Sequence, residues 1–124
     1  MANILIVDDD PAIRDLTARH LVKHTHEVLE AESADEAFSI IDDHTVDLVI
    51  LDIVMPGRGG IETIMEMHGS HPDLPVVIMS GKIPLGTVAV DGLMQRYGAR
   101  AVLPKPFTGE ELLTAVQTAL GESS

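Results

Sequence analysis

Three consecutive carboxylates, Asp8, Asp9 and Asp10, follow the apolar run Ile4-Leu5-Ile6-Val7 and precede Pro11. A second run, Leu48-Val49-Ile50-Leu51, ends in Asp52; a third, Val76-Val77-Ile78-Met79, ends in Ser80; a fourth, Ala101-Val102-Leu103, leads into Pro104-Lys105-Pro106. Acids, a hydroxyl and a lysine are the parts needed to move a phosphoryl group onto a carboxylate. The acids would hold a divalent cation and one of them would be the nucleophile. The lysine and the cation would neutralise phosphoryl oxygens, and the hydroxyl would hydrogen-bond to one of them. Such catalysis is mostly positioning and charge stabilisation. Like charges about 4 Å apart cost up to about 4 kcal/mol near a protein surface, and an oxygen-seeking cation such as Mg²⁺ would relieve that cost. Each residue also has a plain role. Asp10 before Pro11 is a good N-cap, Asp8 and Asp9 could be solvated, Ser80 a loop hydroxyl, Asp52 a turn cap and Lys105 a surface charge. The specific signal is their coincidence at the ends of successive apolar runs.

Those runs must be strands for the residues to meet. Ile4 to Val7, about Val28 and Leu29 within 26–30, Val46 to Asp52, Pro75 to Met79 and Arg100 to Leu103 are short and apolar, as strands buried on both faces are. Helices are expected between them. One runs from Pro11 to about Lys23 with Ile13, Leu16 and Leu21 on one side. The next opens at the capping box Ser33-Ala34-Asp35-Glu36 and carries Ala37, Phe38 and Ile41. A third follows the turn signal Pro56-Gly57-Arg58-Gly59-Gly60, with Ile61, Ile64 and Met65 inward, and ends near Gly69. After a loop at Ile83-Pro84-Leu85-Gly86, residues 87–97 form a weaker candidate, because Gly92 and several β-branched residues oppose a helix. The last opens at the capping box Thr108-Gly109-Glu110-Glu111, carries Leu112, Leu113, Val116 and Leu120, and stops at Gly121. Alternating strands and helices imply an α/β domain with a parallel sheet covered on both faces and right-handed crossovers. The carboxyl ends of all strands then share one edge, where open α/β sheets place their ligands.

Composition narrows the function. A chain of 124 residues, 45% hydrophobic, suffices for one domain with a real core. With aromatics at only 2%, aliphatic side chains and methionines must fill that core. Twenty acids against 8 Lys plus Arg give a formal charge of −12, which argues against direct nucleic-acid binding and docking on an anionic membrane. The lack of cysteine excludes disulfides, thiolate nucleophiles and zinc–thiolate sites. No leader-like or membrane-spanning stretch is present in the sequence, so a cytoplasmic protein is the expectation. His20, His24 and His26 have a spacing that could hold a transition metal, but they read better as helix-end histidines suited to the negative helix terminus.

Ile4-Leu5-Ile6-Val7-Asp8-Asp9-Asp10-Pro11, Leu51-Asp52-Ile53-Val54-Met55-Pro56-Gly57, Met79-Ser80-Gly81 and Leu103-Pro104-Lys105-Pro106-Phe107, in this order, resemble the receiver domain of bacterial two-component response regulators. The resemblance runs from Ile4 to about Leu120. It implies a flavodoxin-like (βα)5 doubly wound sheet, five parallel strands in order 2-1-3-4-5 with helices on both faces. It implies that Asp52 accepts a phosphoryl group from the phosphohistidine of a sensor histidine kinase or histidine phosphotransfer protein. Mg²⁺ would be held by Asp8, Asp9, Asp52 and the backbone carbonyl of Val54. Ser80 would be the switch hydroxyl and Lys105 the ion-pair partner of the phosphoryl group, with Lys105-Pro106 often cis in the family. The start of the first helix, including Ile13 and Arg14, with the loop around Pro106, would face the phosphodonor protein.

The sequence departs from the family pattern in places. Val102 stands where an aromatic switch residue is usual, and a valine has no ring to swing. The connection from Ser80 to Lys105 is slightly long, and Thr25 occupies a position where glycine is frequent. Val54 and Lys82 flank the site, and an apolar Val54 implies slow self-dephosphorylation. The expectation is a single receiver domain over 1–124 with no output domain in this chain. It would be a regulatory phosphoacceptor rather than a turnover enzyme, acting on an unknown downstream protein, with a homodimer formed on phosphorylation kept open. The alternatives are a degenerate, sink or relay receiver without output through Val102, a flavin carrier on the same fold, and a Mg²⁺-dependent aspartyl phosphatase. The last would want an acid two residues after its nucleophile, where Val54 stands.

Overall fold

The central strands are apolar on both faces, and successive residues send their side chains to opposite sides of the sheet. In the computed structural model, which describes residues 2–53, 60–81, 92 and 96–121, this period splits the core in two. Leu5, Val7, Val49, Leu51, Val76 and Ile78 face one way, and Ile4, Ile6, Leu48, Ile50, Val77 and Met79 the other. The strands are β1 (Asn3–Val7), β2 (Glu27–Ala31), β3 (Leu48–Asp52), β4 (Val76–Ser80) and β5 (Ala99–Pro104). All neighbouring pairs are parallel, in the order β2-β1-β3-β4-β5, which is the expected topology.

The described helices are α1 (Pro11–Lys23), α2 (Ala34–Asp43), α3 (Gly60–Ser70) and α4 (Gly109–Leu120). Ala37 and Ile41 of α2 and Ile64 and Met67 of α3 complete the first core layer; Leu21 of α1 and Leu112, Ala115, Val116 and Ala119 of α4 complete the second. The sheet is therefore covered on both faces. The helix starts are those the sequence predicts. Asp10 Oδ1 accepts from the N–H groups of Ala12 and Ile13, and Ser33 Oγ from that of Glu36. Thr108 and Glu111 cap each other reciprocally, and α4 ends at Gly121 with φ of 76°, a conformation glycine adopts without penalty. The Lys105-Pro106 bond is cis. None of the described helices is long and apolar enough to cross a membrane.

Two helix faces differ from expectation. Leu16 is 48% exposed, and α1 buries Thr17 beside Leu21 instead. Thr17 tolerates this because its hydroxyl donates to the Ile13 carbonyl one turn earlier at 2.7 Å. In α3, Ile61 and Met65 are exposed, while Thr63, Ile64 and Met67 are buried. Both helices hold more apolar residues than one stripe accommodates, and packing against the sheet selects among them. In β5 the register with β4 shifts between Val76 and Val77, so Val76 pairs with Ala99 and Val77 with Ala101. That irregularity places Val102 against the α2/α3 layer and Ala101 and Leu103 against the α1/α4 layer. The loop Ile83–Gly86 and most of the helix expected over 87–97 lie outside the described residues.

Candidate functional site

Asp8 continues directly from β1, and Asp52 is the last residue of β3, its register partner on β4 being Met79. Ser80 is the next residue of β4 and pairs with Pro104, one residue before Lys105. The Lys105 N–H also donates to the Ser80 carbonyl at 2.9 Å. The parallel ladder thus delivers two acids, the hydroxyl residue and the lysine to one edge of the sheet. Asp9 adds a third acid from the turn into α1.

Asp8, Asp9 and Asp52 each offer a carboxylate oxygen, all within 4.8 Å of one another. Asp8 is fully buried and Asp52 only 4% exposed, while Asp9 faces solvent. Buried carboxylates need hydrogen bonds and opposite charge to be tolerated. Lys105 supplies both. Its Nζ donates to Asp8 Oδ2 at 2.8 Å and to Asp52 Oδ2 at 2.9 Å. Burial, the largest single influence on this ammonium, lowers its pKa; the hydrogen bonds and charges of Asp8 and Asp52 together outweigh that and leave it raised above 10.5.

Asp8 is fixed from every side. Its N–H donates to the Ala31 carbonyl at the end of β2, and its Oδ1 accepts from the Asp10 N–H at 2.9 Å. Its backbone carbonyl accepts from Arg14 Nη1 at 2.7 Å. The same guanidinium reaches Glu30 at 3.5 Å through Nε. This contact was not legible in the sequence, which suggests only a docking role for Arg14. A signal was present nonetheless. An arginine in the second turn of a helix sits near the positive end of the helix dipole, and α1 has no acid in its first turn to offset it.

The donor set consists of oxygens only and is anionic. Three carboxylates face one ammonium, so a divalent cation would restore balance. Such a set suits Mg²⁺ better than a transition metal. Asp8, Asp9 and Asp52 fit the ion; the Val54 carbonyl, expected as a further ligand, lies outside the described residues, as does Lys82. Asp10 is engaged as the cap of α1, as expected. The histidines take local roles. His24 Nδ1 pairs with the His20 carbonyl at 3.0 Å, His26 Nδ1 accepts from the Ala2 N–H, and the His20 ring lies over Gly109. Val102 is half-buried on β5, three residues before Lys105, and lines an open groove with Glu110, Glu111, Thr114 and Thr118.

The chain matches the family described as "Response regulator receiver domain" over residues 4–117. It is 36% identical over 118 residues to the transcriptional regulatory protein MalR of Bacillus subtilis, covering 94% of this chain and 49% of MalR. The chain spans about half, or less, of the curated relatives it matches. Among solved structures it resembles the receiver domain of NtrX from Brucella abortus, with 38% identity, a TM-score of 0.85 and coverage of 97% of this chain and 99% of that one. It also resembles the response regulator TrrA of Thermotoga maritima, solved in complex with Mg²⁺ and BeF, at 31% identity and a TM-score of 0.80, covering 97% and 100% of the two chains.

Proposed function

Since the chain belongs to the receiver domain family of response regulators, we propose that Asp52 is the residue through which it is switched. A receiver domain is a regulatory module, a phosphoacceptor in signalling. On our reading, a carboxylate oxygen of Asp52 attacks the phosphorus of a phosphohistidine on a sensor kinase or phosphotransfer protein. The phosphorus–nitrogen bond breaks, the phosphorus–oxygen bond to Asp52 forms, and the imidazole departs with the electron pair. The observation that carries this reading is the shared ammonium of Lys105, 2.8 Å from Asp8 and 2.9 Å from Asp52 at the ends of adjacent strands.

Each residue has a separate task. Lys105 holds the Asp52 carboxylate in place and stands beside the position where phosphoryl charge arrives. Asp8 and Asp9, with Asp52, would hold Mg²⁺, which when bound supplies charge neutralisation at the phosphoryl oxygens. Ser80, at the end of β4, donates its hydroxyl to the phosphoryl group and reports its presence. With Val102 in place of an aromatic ring, that report reaches the neighbouring groove through β5 backbone and packing rather than ring rotation. Residues 1–124 act as one receiver unit, in the cytoplasm, and the response is read by a partner or by a further part of the same protein. The intact acid cluster favours this over a degenerate receiver.

Intact mass spectrometry after incubation with a small acyl phosphate tests the reading. One added phosphoryl group that requires Mg²⁺ and is lost in Asp52→Asn is the expected result. Incorporation that persists in Asp52→Asn would overturn it.

A further inference from the structure

Resting on the reading of Asp8, Asp9 and Asp52 as the cation site, we infer that Arg14 is a positioning residue for that site. It acts through the backbone of Asp8 and contributes no ligand. The Nη1–carbonyl contact of 2.7 Å is short, and the Arg14 side chain is only 17% exposed, so it is built into the molecule rather than lying on it. The carbonyl it grips belongs to the peptide joining Asp8 to Asp9. Fixing that carbonyl fixes the peptide plane, and the plane sets the direction in which the Asp9 carboxylate leaves the chain. Asp8 is already held through its N–H, Oδ1 and Oδ2. The Asp10 N–H on Asp8 Oδ1 closes the turn over Asp9 from one side, and the Arg14 contact restrains the Asp8–Asp9 peptide on the other, so together they fix the exposed member of the cluster.

The guanidinium suits this task. Its planar fork reaches two acceptors in different directions. One is the end of β1, through Asp8, and the other is Glu30 on β2, whose register partner is Ile6 of β1. Groups behind the ligands that orient them typically change metal affinity about 10- to 100-fold when removed.

Charge and positioning predict opposite signs here, which makes the inference sharp. Arg14 is a cation beside an acidic site. If it acted only by charge, its removal would tighten Mg²⁺ binding. As a positioning residue, its removal weakens binding.

The test is calorimetric titration of the metal-free protein with Mg²⁺ for wild type, Arg14→Gln, Arg14→Lys and Glu30→Gln, each checked for folding by thermal melt. We expect Kd to rise about tenfold in Arg14→Gln. Arg14→Lys keeps the charge but loses the fork, and should also weaken binding. Glu30→Gln leaves the Asp8 contact in place and should change Kd less than threefold or so. Unchanged or tighter binding in a folded Arg14→Gln overturns the inference while leaving the cation site standing. Weakening in Arg14→Gln that Arg14→Lys fully restores would show that a single donor suffices without the planar fork, and would overturn the guanidinium's role as the positioning group. Absence of Mg²⁺ binding by the wild type overturns the cation site and the inference together.

Discussion

The ammonium of Lys105 donates to Asp52 Oδ2 across 2.9 Å, tying the loop after β5 to the end of β3 two strands away. Asp52 is nearly inaccessible and the lysine side chain 20% exposed, so the pair is mostly removed from water. Breaking one side of such a pair leaves a buried charge without compensation, which costs about 3–5 kcal/mol when burial is complete. With the lysine partly solvated, Lys105→Ala should cost about 2–3 kcal/mol by urea denaturation without metal. In an Asp52→Asn background the same substitution should cost at least about 1 kcal/mol less, because the two groups are coupled. Equal costs in both backgrounds would show that the pair carries no energy.

The same contact has a signature in alkaline solution. Lys105 has a pKa raised above 10.5 in the folded protein, so folding favours its protonated form. The associated stability is complete below the unfolded value and is lost as pH rises through the higher folded value. The stability difference between wild type and Lys105→Ala should therefore be constant from about pH 7 to pH 10 and shrink above that. A difference that grows with pH would contradict the assignment.

Asp9 provides a sign reversal. It is the exposed acid of the cluster, within reach of Asp8 and Asp52. Without metal, Asp9→Asn removes repulsion and should raise Tm by a few degrees. Binding to the folded state alone contributes about 2.7 kcal/mol when Mg²⁺ is a hundredfold above Kd, and Asp9→Asn should forfeit most of that gain. Thermal melts in chelator and in excess Mg²⁺ should thus rank the two proteins in opposite order.

Thr25 is a local liability. It follows the C-cap of α1 with φ of 71°, a left-handed conformation that a β-branched residue adopts at a cost of about 1–2 kcal/mol. The conformation lets the Thr25 and His26 N–H groups satisfy the Val22 and Leu21 carbonyls, as a glycine would. Thr25→Gly should stabilise by up to about 1 kcal/mol after the entropy cost of glycine, measured as a rise in Tm with Mg²⁺ affinity unchanged.

The parts of the fold legible in the sequence are those where one local rule operates. Ile4 to Val7 and Leu48 to Leu51 are apolar without alternation because both faces are covered, so the strands and their parallel direction could be read, and with them the edge holding Asp8, Asp52, Ser80 and Lys105; the strand order came only with the resemblance to receiver domains. Asp10, Ser33 and Thr108 marked the helix starts because capping depends on neighbours only. What was not legible depends on distant packing. Leu16 and Thr17 compete for the same side of α1, and only the sheet beneath decides. The shift in β5 that turns Val102 toward the α2/α3 layer leaves no trace in Arg100-Ala101-Val102. The ion pair of Arg14 with Glu30 requires the ends of β1 and β2 to be side by side, which no spacing along the chain encodes.

The most direct test of the account is the location of the phosphoryl group. Phosphorylation with an acyl phosphate in Mg²⁺, reduction by borohydride and peptide mass mapping convert a phosphorylated aspartate into homoserine at its own position. The account predicts homoserine at residue 52 and at neither 8 nor 9. Homoserine at residue 8 or 9, with residue 52 unchanged, would contradict it.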